Sequence, residues 1–138
     1  MAALTADFNS YIQNQRAQTS RTIQGGKMAY IGALAQLDAT GSYVIAAASG
    51  VTRKIVGQFV RTVASGLTVD TAVPVREGDI FLNLATGGPA ATAANIGALV
   101  YAASDNEVDL NSANAKAGIM IAVQDSGCIV RVTTEACL

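Results

Sequence analysis

"RKIVGQFVRTVAS", residues 53 to 65, is the most plainly β-forming stretch of this chain and decides how the rest is read. β-branched and aromatic residues dominate it. In an extended strand Ile55 and Phe59 fall on one face and Val56 and Val60 on the other, so both faces find apolar partners. Gly57, with no side chain to pack, marks a bulge or the close approach of another backbone.

Working toward the N-terminus, "SYVIAAA" (42–48) is closed by Gly50, and "KMAYIGALAQLD" (27–38) reaches it through an Asp-Ala-Thr-Gly turn, the layout of a hairpin. Toward the C-terminus, "DTAVPVREGDIFLNLAT" (70–86) reads as two strands about a Glu77-Gly78-Asp79 turn, with Pro74 at an edge or strand start. "LVYAAS", "NEVDL", "AGIMIAVQ" and "GCIVRVTTE" continue the pattern, with turns at Asp105-Asn106 and Asp125-Ser126-Gly127. In the last of these strands Cys128, Val130 and Val132 share a face while Arg131 and Thr133 point the other way, which makes Cys128 a packing residue. One segment departs from the pattern: after Gly87-Gly88-Pro89, Thr92 is placed to cap a single helical turn over Ala93 to Ile96. A phosphate-binding glycine loop does not fit there, because the Gly-Lys-Ser/Thr ending is missing. Short strands between turn signals predict an all-β fold, a small β-barrel or β-sandwich with one short helical turn.

The chain has 138 residues, the size of one domain with one core. Of the 51% hydrophobic residues, 26 are alanines, so the core is expected to be packed from small side chains. No run approaches the roughly 20 apolar residues of a membrane span, and the first residues lack the basic-then-apolar order of a secretory signal. Synthesis in the cytoplasm, with no membrane partner, is the expectation. The net charge of -1 argues against a nucleic-acid partner. The charge is nonetheless uneven, six basic against two acidic residues through Arg61 and three against eight from Thr62 onward, an asymmetry suited to orienting the molecule on a charged partner or on its own copies.

Candidate chemistry is sparse. There is no histidine, so a serine or cysteine nucleophile lacks its usual base, and Lys27, Lys54 and Lys116 show no Ser-x-x-Lys spacing and sit where strand ends or turns are expected. Glu77 with Asp79, and Glu107 with Asp109, are close carboxylates that could act as acid and base or bind a hard cation, but each pair sits where a turn or a polar strand face wants it. Cys128 and Cys137 are read as reduced thiols. No enzyme activity, no cofactor and no metal are expected.

The N-terminal stretch "TADFNSYIQNQRAQTSRTIQGG" (5–26) contrasts with all this, with five Gln and Asn between Asn9 and Gln18 and few bulky apolar groups. Residues 1–22 are therefore expected to form an extended arm and 23–138 the β-domain. Leu4, Phe8, Tyr11 and Ile12 would align on one face of a short helix seated in a partner's groove, or anchor an extended arm.

The segments "MAALTAD", "GGKMAYIGALAQLDATGSYV", "VPVREGDIFLNLA", "NIGALVYAASDNEVDL" and "AGIMIAVQDSGCIVRV" together resemble the decoration, or capsid cement, proteins of tailed bacteriophages and prophages. The resemblance lies in the order of motifs: Leu-Asp-x-x-Gly, Val-x-Val-Arg-x-Gly, Ile-Gly-x-x-Val-Tyr and a final Ala-Gly to Val-x-Val hairpin. It covers nearly the whole chain, which departs from the pattern in its longer Gln-rich stretch between Asp7 and Gly25. It implies a small β-barrel or sandwich on the outer surface of an icosahedral head, bound to the major capsid protein and to its own copies as a homotrimer or a dimer. The arm's composition and spacing, taken with that role, would have it bridge capsid subunits through Leu4, Phe8, Tyr11, Ile12, Arg16 and Arg21. The alternatives are another virion part, such as a tail or head-completion protein, and a carbohydrate-binding or hydrolytic β-domain, which the scarcity of aromatics disfavours.

Overall fold

A computed structural model of the chain describes residues 18–63, 69–87, 89–124 and 127–132. Ten strands are named in chain order: β1 (Gln18–Ile23), β2 (Leu34–Leu37), β3 (Val44–Ala46), β4 (Ile55–Phe59), β5 (Thr71–Arg76), β6 (Gly78–Leu84), β7 (Leu99–Ala102), β8 (Glu107–Asp109), β9 (Lys116–Gln124) and β10 (Gly127–Val132). A 3-10 turn at Ala93–Asn95 supplies the helical element. The fold is all-β, and the five C-terminal strands close into a barrel in the order β9-β10-β6-β8-β7. The first five form an open sheet in the order β1-β5-β4-β2-β3. Its edge strands β1 and β3 curl back to lie near each other.

A barrel of five strands is narrow, and its interior admits only small or slender side chains. Ala91, Ala102, Ala115 and Ala117 therefore share the inside with Val100, Val108, Val130, Val132, Ile80, Leu82, Met120 and Cys128. The alternation is clean along β10, where Cys128, Val130 and Val132 are fully buried and Arg131 faces solvent. Facing it, β6 buries Ile80 and Leu82 and turns Asp79 and Phe81 outward. The barrel is closed by one parallel pairing, β6 with β8 through Asn83–Glu107 and Leu84–Val108.

The open sheet packs against the barrel, and its central strands are buried on both sides. In β2, Leu34 joins the barrel core while Ala35 joins the sheet's own core with Val44, Val73 and Val75. β4 does the same through its bulge. Ile55 pairs with Gln36 but Gly57 pairs with Ala35, so Val56 is the extra residue and the side-chain alternation slips there. The expectation that Ile55 and Phe59 share a face is thereby corrected: Ile55 enters the barrel core, whereas Val56 and Phe59 enter the sheet core. Gly57 is needed because a Cβ there would lie 2.6 Å from the Arg76 carbonyl oxygen, with φ at +144°.

The β2–β3 hairpin forms as its turn residues predict. One Asp38 oxygen accepts hydrogen bonds from the backbone N–H groups of Thr40, Gly41 and Tyr43 and from the Thr40 hydroxyl. Thr92 caps the 3-10 turn, accepting from the Ala94 N–H while Asn95 accepts from the Thr92 N–H. At Glu77 the structure differs from the two-strand turn read there. β5 and β6 lie in different sheets, so this residue is where the chain crosses from the open sheet to the barrel.

Candidate functional site

Leu4, Phe8, Tyr11, Ile12 and Arg16 lie outside the described residues, as does Cys137. Arg21 lies within them, but as part of β1, paired with Val73 of β5. Residues 18–22, assigned to the arm from composition, thus belong to a sheet edge: the polar side chains that suggested an arm also suit an exposed edge strand. Arg21 sits two residues from the buried Ile23 and so shares its face; its Nε is buried and has no hydrogen-bond partner.

Two surface features follow. The first is an apolar ledge shortly after β1. Met28, Tyr30 and Ile31 are 38%, 59% and 65% exposed, although the backbone that carries them is anchored. Ala29 between them is buried and bridges Val63 in both directions, at 3.3 and 2.8 Å, and the Ile31 N–H donates to the Thr62 hydroxyl at 3.0 Å. The Gly32 N–H donates to the Phe59 carbonyl at 2.9 Å. The ledge's backbone is stitched to the sheet, so its large side chains are presented on a fixed frame.

The second feature is a cleft of about 400 Å³ between the two halves of the fold. One wall is Thr52, Arg53 and Lys54, in the strap joining β3 to β4; the other is Tyr101 of β7 with Ser112 and the turn leading to Lys116 at the start of β9. Both walls are held from beneath. Gln36 Nε2 donates to the carbonyls of Val51 and Arg53 at 2.7 and 3.0 Å, tying the strap to β2. Asn114 Oδ1 accepts from the Gly50 N–H at 2.7 Å, tying the same strap to the barrel. Asn114 Nδ2 in turn reaches both oxygens of buried Asp109, which also accepts from the Asn111 N–H at 3.0 Å. Sequence reasoning placed Lys54 and Lys116 correctly near strand ends but had no means to bring them together. The available signal was the presence of Gln36 and Asn114 in otherwise apolar or alanine-rich segments.

The carboxylate pairs are taken up in other contacts. Asp79 forms a two-point ion pair with Arg131 across β6 and β10, at 2.9 and 3.2 Å, and this holds the Arg131 guanidinium above its ordinary pKa. Glu107 accepts from the Ser104 hydroxyl at 3.3 Å. Among the described residues no group of three or more His, Cys, Asp and Glu could hold a metal ion. No helix among them is long and apolar enough to cross a membrane. Comparison with protein-family models, curated proteins and solved structures finds no match to this chain.

Proposed function

We propose that this chain is a structural virion protein that binds the outer surface of an icosahedral phage capsid and stabilises it by bridging neighbouring major capsid subunits. The observation that carries the proposal is the apolar ledge of Met28, Tyr30 and Ile31, three large side chains exposed on a backbone that is hydrogen-bonded into the sheet. Large apolar side chains exposed on an ordered frame lose little entropy when covered, which suits a protein contact. The rest of the molecule suits a passive role. Asp79, Glu107 and Asp109 serve ion pairing or turn bonding, and the two halves are locked by shared core residues.

The motifs behind the resemblance fall at structural corners of the fold. Leu-Asp-x-x-Gly makes the β2–β3 turn, Val-x-Val-Arg-x-Gly spans the crossing between sheets, and Ile-Gly-x-x-Val-Tyr leads from the 3-10 turn into β7. On this proposal the partners are the major capsid protein and further copies of the chain, arranged as a homotrimer or a dimer, and the site of action is the virion surface. Binding repeated over many equivalent sites lets modest affinity per copy resist internal pressure. The test is to mix heads lacking the protein with purified chain, sediment them, and count bound copies against the shell protein. Copy numbers near parity and delayed heat-induced DNA release are expected. A few copies per particle would point instead to a tail or head-completion part, and no binding would end the proposal.

A further inference from the structure

Gln36, Asp109 and Asn114 are the buried polar side chains among the described residues, and all three hold the walls of the cleft between the sheet and the barrel. Burying an amide or a carboxylate costs free energy unless it is hydrogen-bonded, and apolar residues would fill the same space without that cost. Here the bonds fix the strap at residues 50–53 from two sides, and Gln36 Oε1 is left buried without a partner. The cleft is therefore a held shape. Around it stand the side chains of Arg53, Lys54 and Lys116, drawn from both halves of the fold, with the hydroxyls of Thr52, Tyr101 and Ser112 between them. Asp109 is engaged by Asn114 and by the Asn111 N–H, and Lys116 already has a partner of its own, so the charges the cleft offers are those of Arg53 and Lys54.

We propose that this cleft is a binding site for a compact oxyanion ligand carrying two or more negative charges, either clustered carboxylates or linked phosphates. Arg53 and Lys54 bring cationic charge to it, and a guanidinium offers a flat pair of donors that fits the two oxygens of a carboxylate or phosphate. Hydroxyl groups on both walls can turn their O–H toward an anion. Size sets the ligand: about 400 Å³ falls in the range of sites that take small molecules or side-chain clusters, well above the needs of one chloride or one phosphate. The site is independent of the capsid proposal, because the chain can bind such an anion whether or not it binds heads.

The experiment uses the full chain, labelled with nitrogen-15 and titrated at constant ionic strength with tetraglutamate, with pyrophosphate and, as a control, with chloride. Saturable shifts confined to residues 50–54, Tyr101 and 112–116 are expected. Arg53→Gln and Lys54→Gln should each weaken binding by about tenfold, the effect of losing one charge-assisted hydrogen bond, with an unchanged melting temperature. Asn114→Ala keeps every cation but frees Gly50, and should weaken binding as well if it folds; should it not fold, the two charge variants decide alone. Saturation by tetraglutamate alone identifies the acidic surface of a protein partner as the source, and saturation by pyrophosphate alone identifies a free phosphate compound. No saturable shift with either anion, shifts matched by chloride, or full affinity in the Arg53→Gln/Lys54→Gln double variant overturns the proposal.

Discussion

Cys128 shows how far one side chain's setting can be argued from its neighbours. It is fully buried, its sulfur lies 3.6 Å from the Leu82 carbonyl oxygen, and burial pushes its thiol up to about 11 from 9.0. A raised value means that the folded state keeps a proton that the unfolded state gives up. The thiol's contribution is therefore complete below pH 9 and is lost as the pH climbs toward about 11. Cys128→Asp should cost at least about 3 kcal/mol, the penalty of an unpaired charge in an apolar barrel, measured by urea unfolding at pH 7. The native thiol should also resist alkylation at pH 8 until the protein is unfolded. Gly57 is constrained by backbone instead: Gly57→Ala sets a Cβ against the Arg76 carbonyl at a φ that side chains avoid, and should destabilise by at least about 2 kcal/mol in the same measurement. A smaller loss would mean that the β4 bulge relaxes freely.

Among the elements, the open sheet depends on ties between its edges, because β1 and β3 stand at opposite ends of its strand order. Asp70, just before β5, accepts from the Gly25 N–H at 3.0 Å and from the Tyr43 hydroxyl at 2.8 Å, linking the chain after β1 to the start of β3. The Gly25 N–H first and the Tyr43 hydroxyl second hold the Asp70 carboxyl below its ordinary value of 3.8. The stabilisation is accordingly present above that value and disappears as the pH falls through the lower folded-state value. Asp70→Asn should melt below the wild type at pH 6, and the gap should close in strong acid; a gap that persists unchanged at pH 2 would assign the effect to shape alone. These ties also mark where sequence stops being legible. Strands with one wet face, such as β10, declare their inward side by simple alternation, and the Asp38 and Thr92 turns follow from residue chemistry. β2 and β4 do not, since both faces are apolar and a one-residue bulge redirects Ile55 away from Phe59. The cleft is harder still, because Gly50 and Asn114, which build it, are 64 positions apart and meet only once both halves have formed.

At the level of the whole molecule, the pairing of β1 with β5 changes how the N-terminus must be tested. Composition suggested removing residues 1–22, but that cut takes away Gln18 to Thr22, the strand that covers one side of β5 and pairs with Ala72 to Arg76. Its loss should lower the melting temperature, with or without any role in binding. Removing residues 1–17 leaves β1 whole and should leave the melting temperature unchanged, since that stretch carries few bulky apolar groups to give to either core. The shorter cut therefore isolates attachment. If Leu4, Phe8, Tyr11, Ile12 and Arg16 bridge capsid subunits, head binding should fall sharply in this variant, because each large apolar side chain buried at an interface is worth roughly 1.5 to 3 kcal/mol and the losses add across the copies of an oligomer. The ledge offers the complementary test. Tyr30→Ser with Ile31→Ser removes two exposed side chains that support no core, so the fold should melt as before. Sedimentation with heads separates the contributions: loss only on truncation assigns attachment to the first 17 residues, loss only in the serine variant assigns it to the ledge, and loss in both describes a two-point clamp. A protein that binds fully in both forms is attached through neither, and the contact must then be sought on the barrel's outer face, where Phe81 stands half exposed beside the Asp79–Arg131 pair.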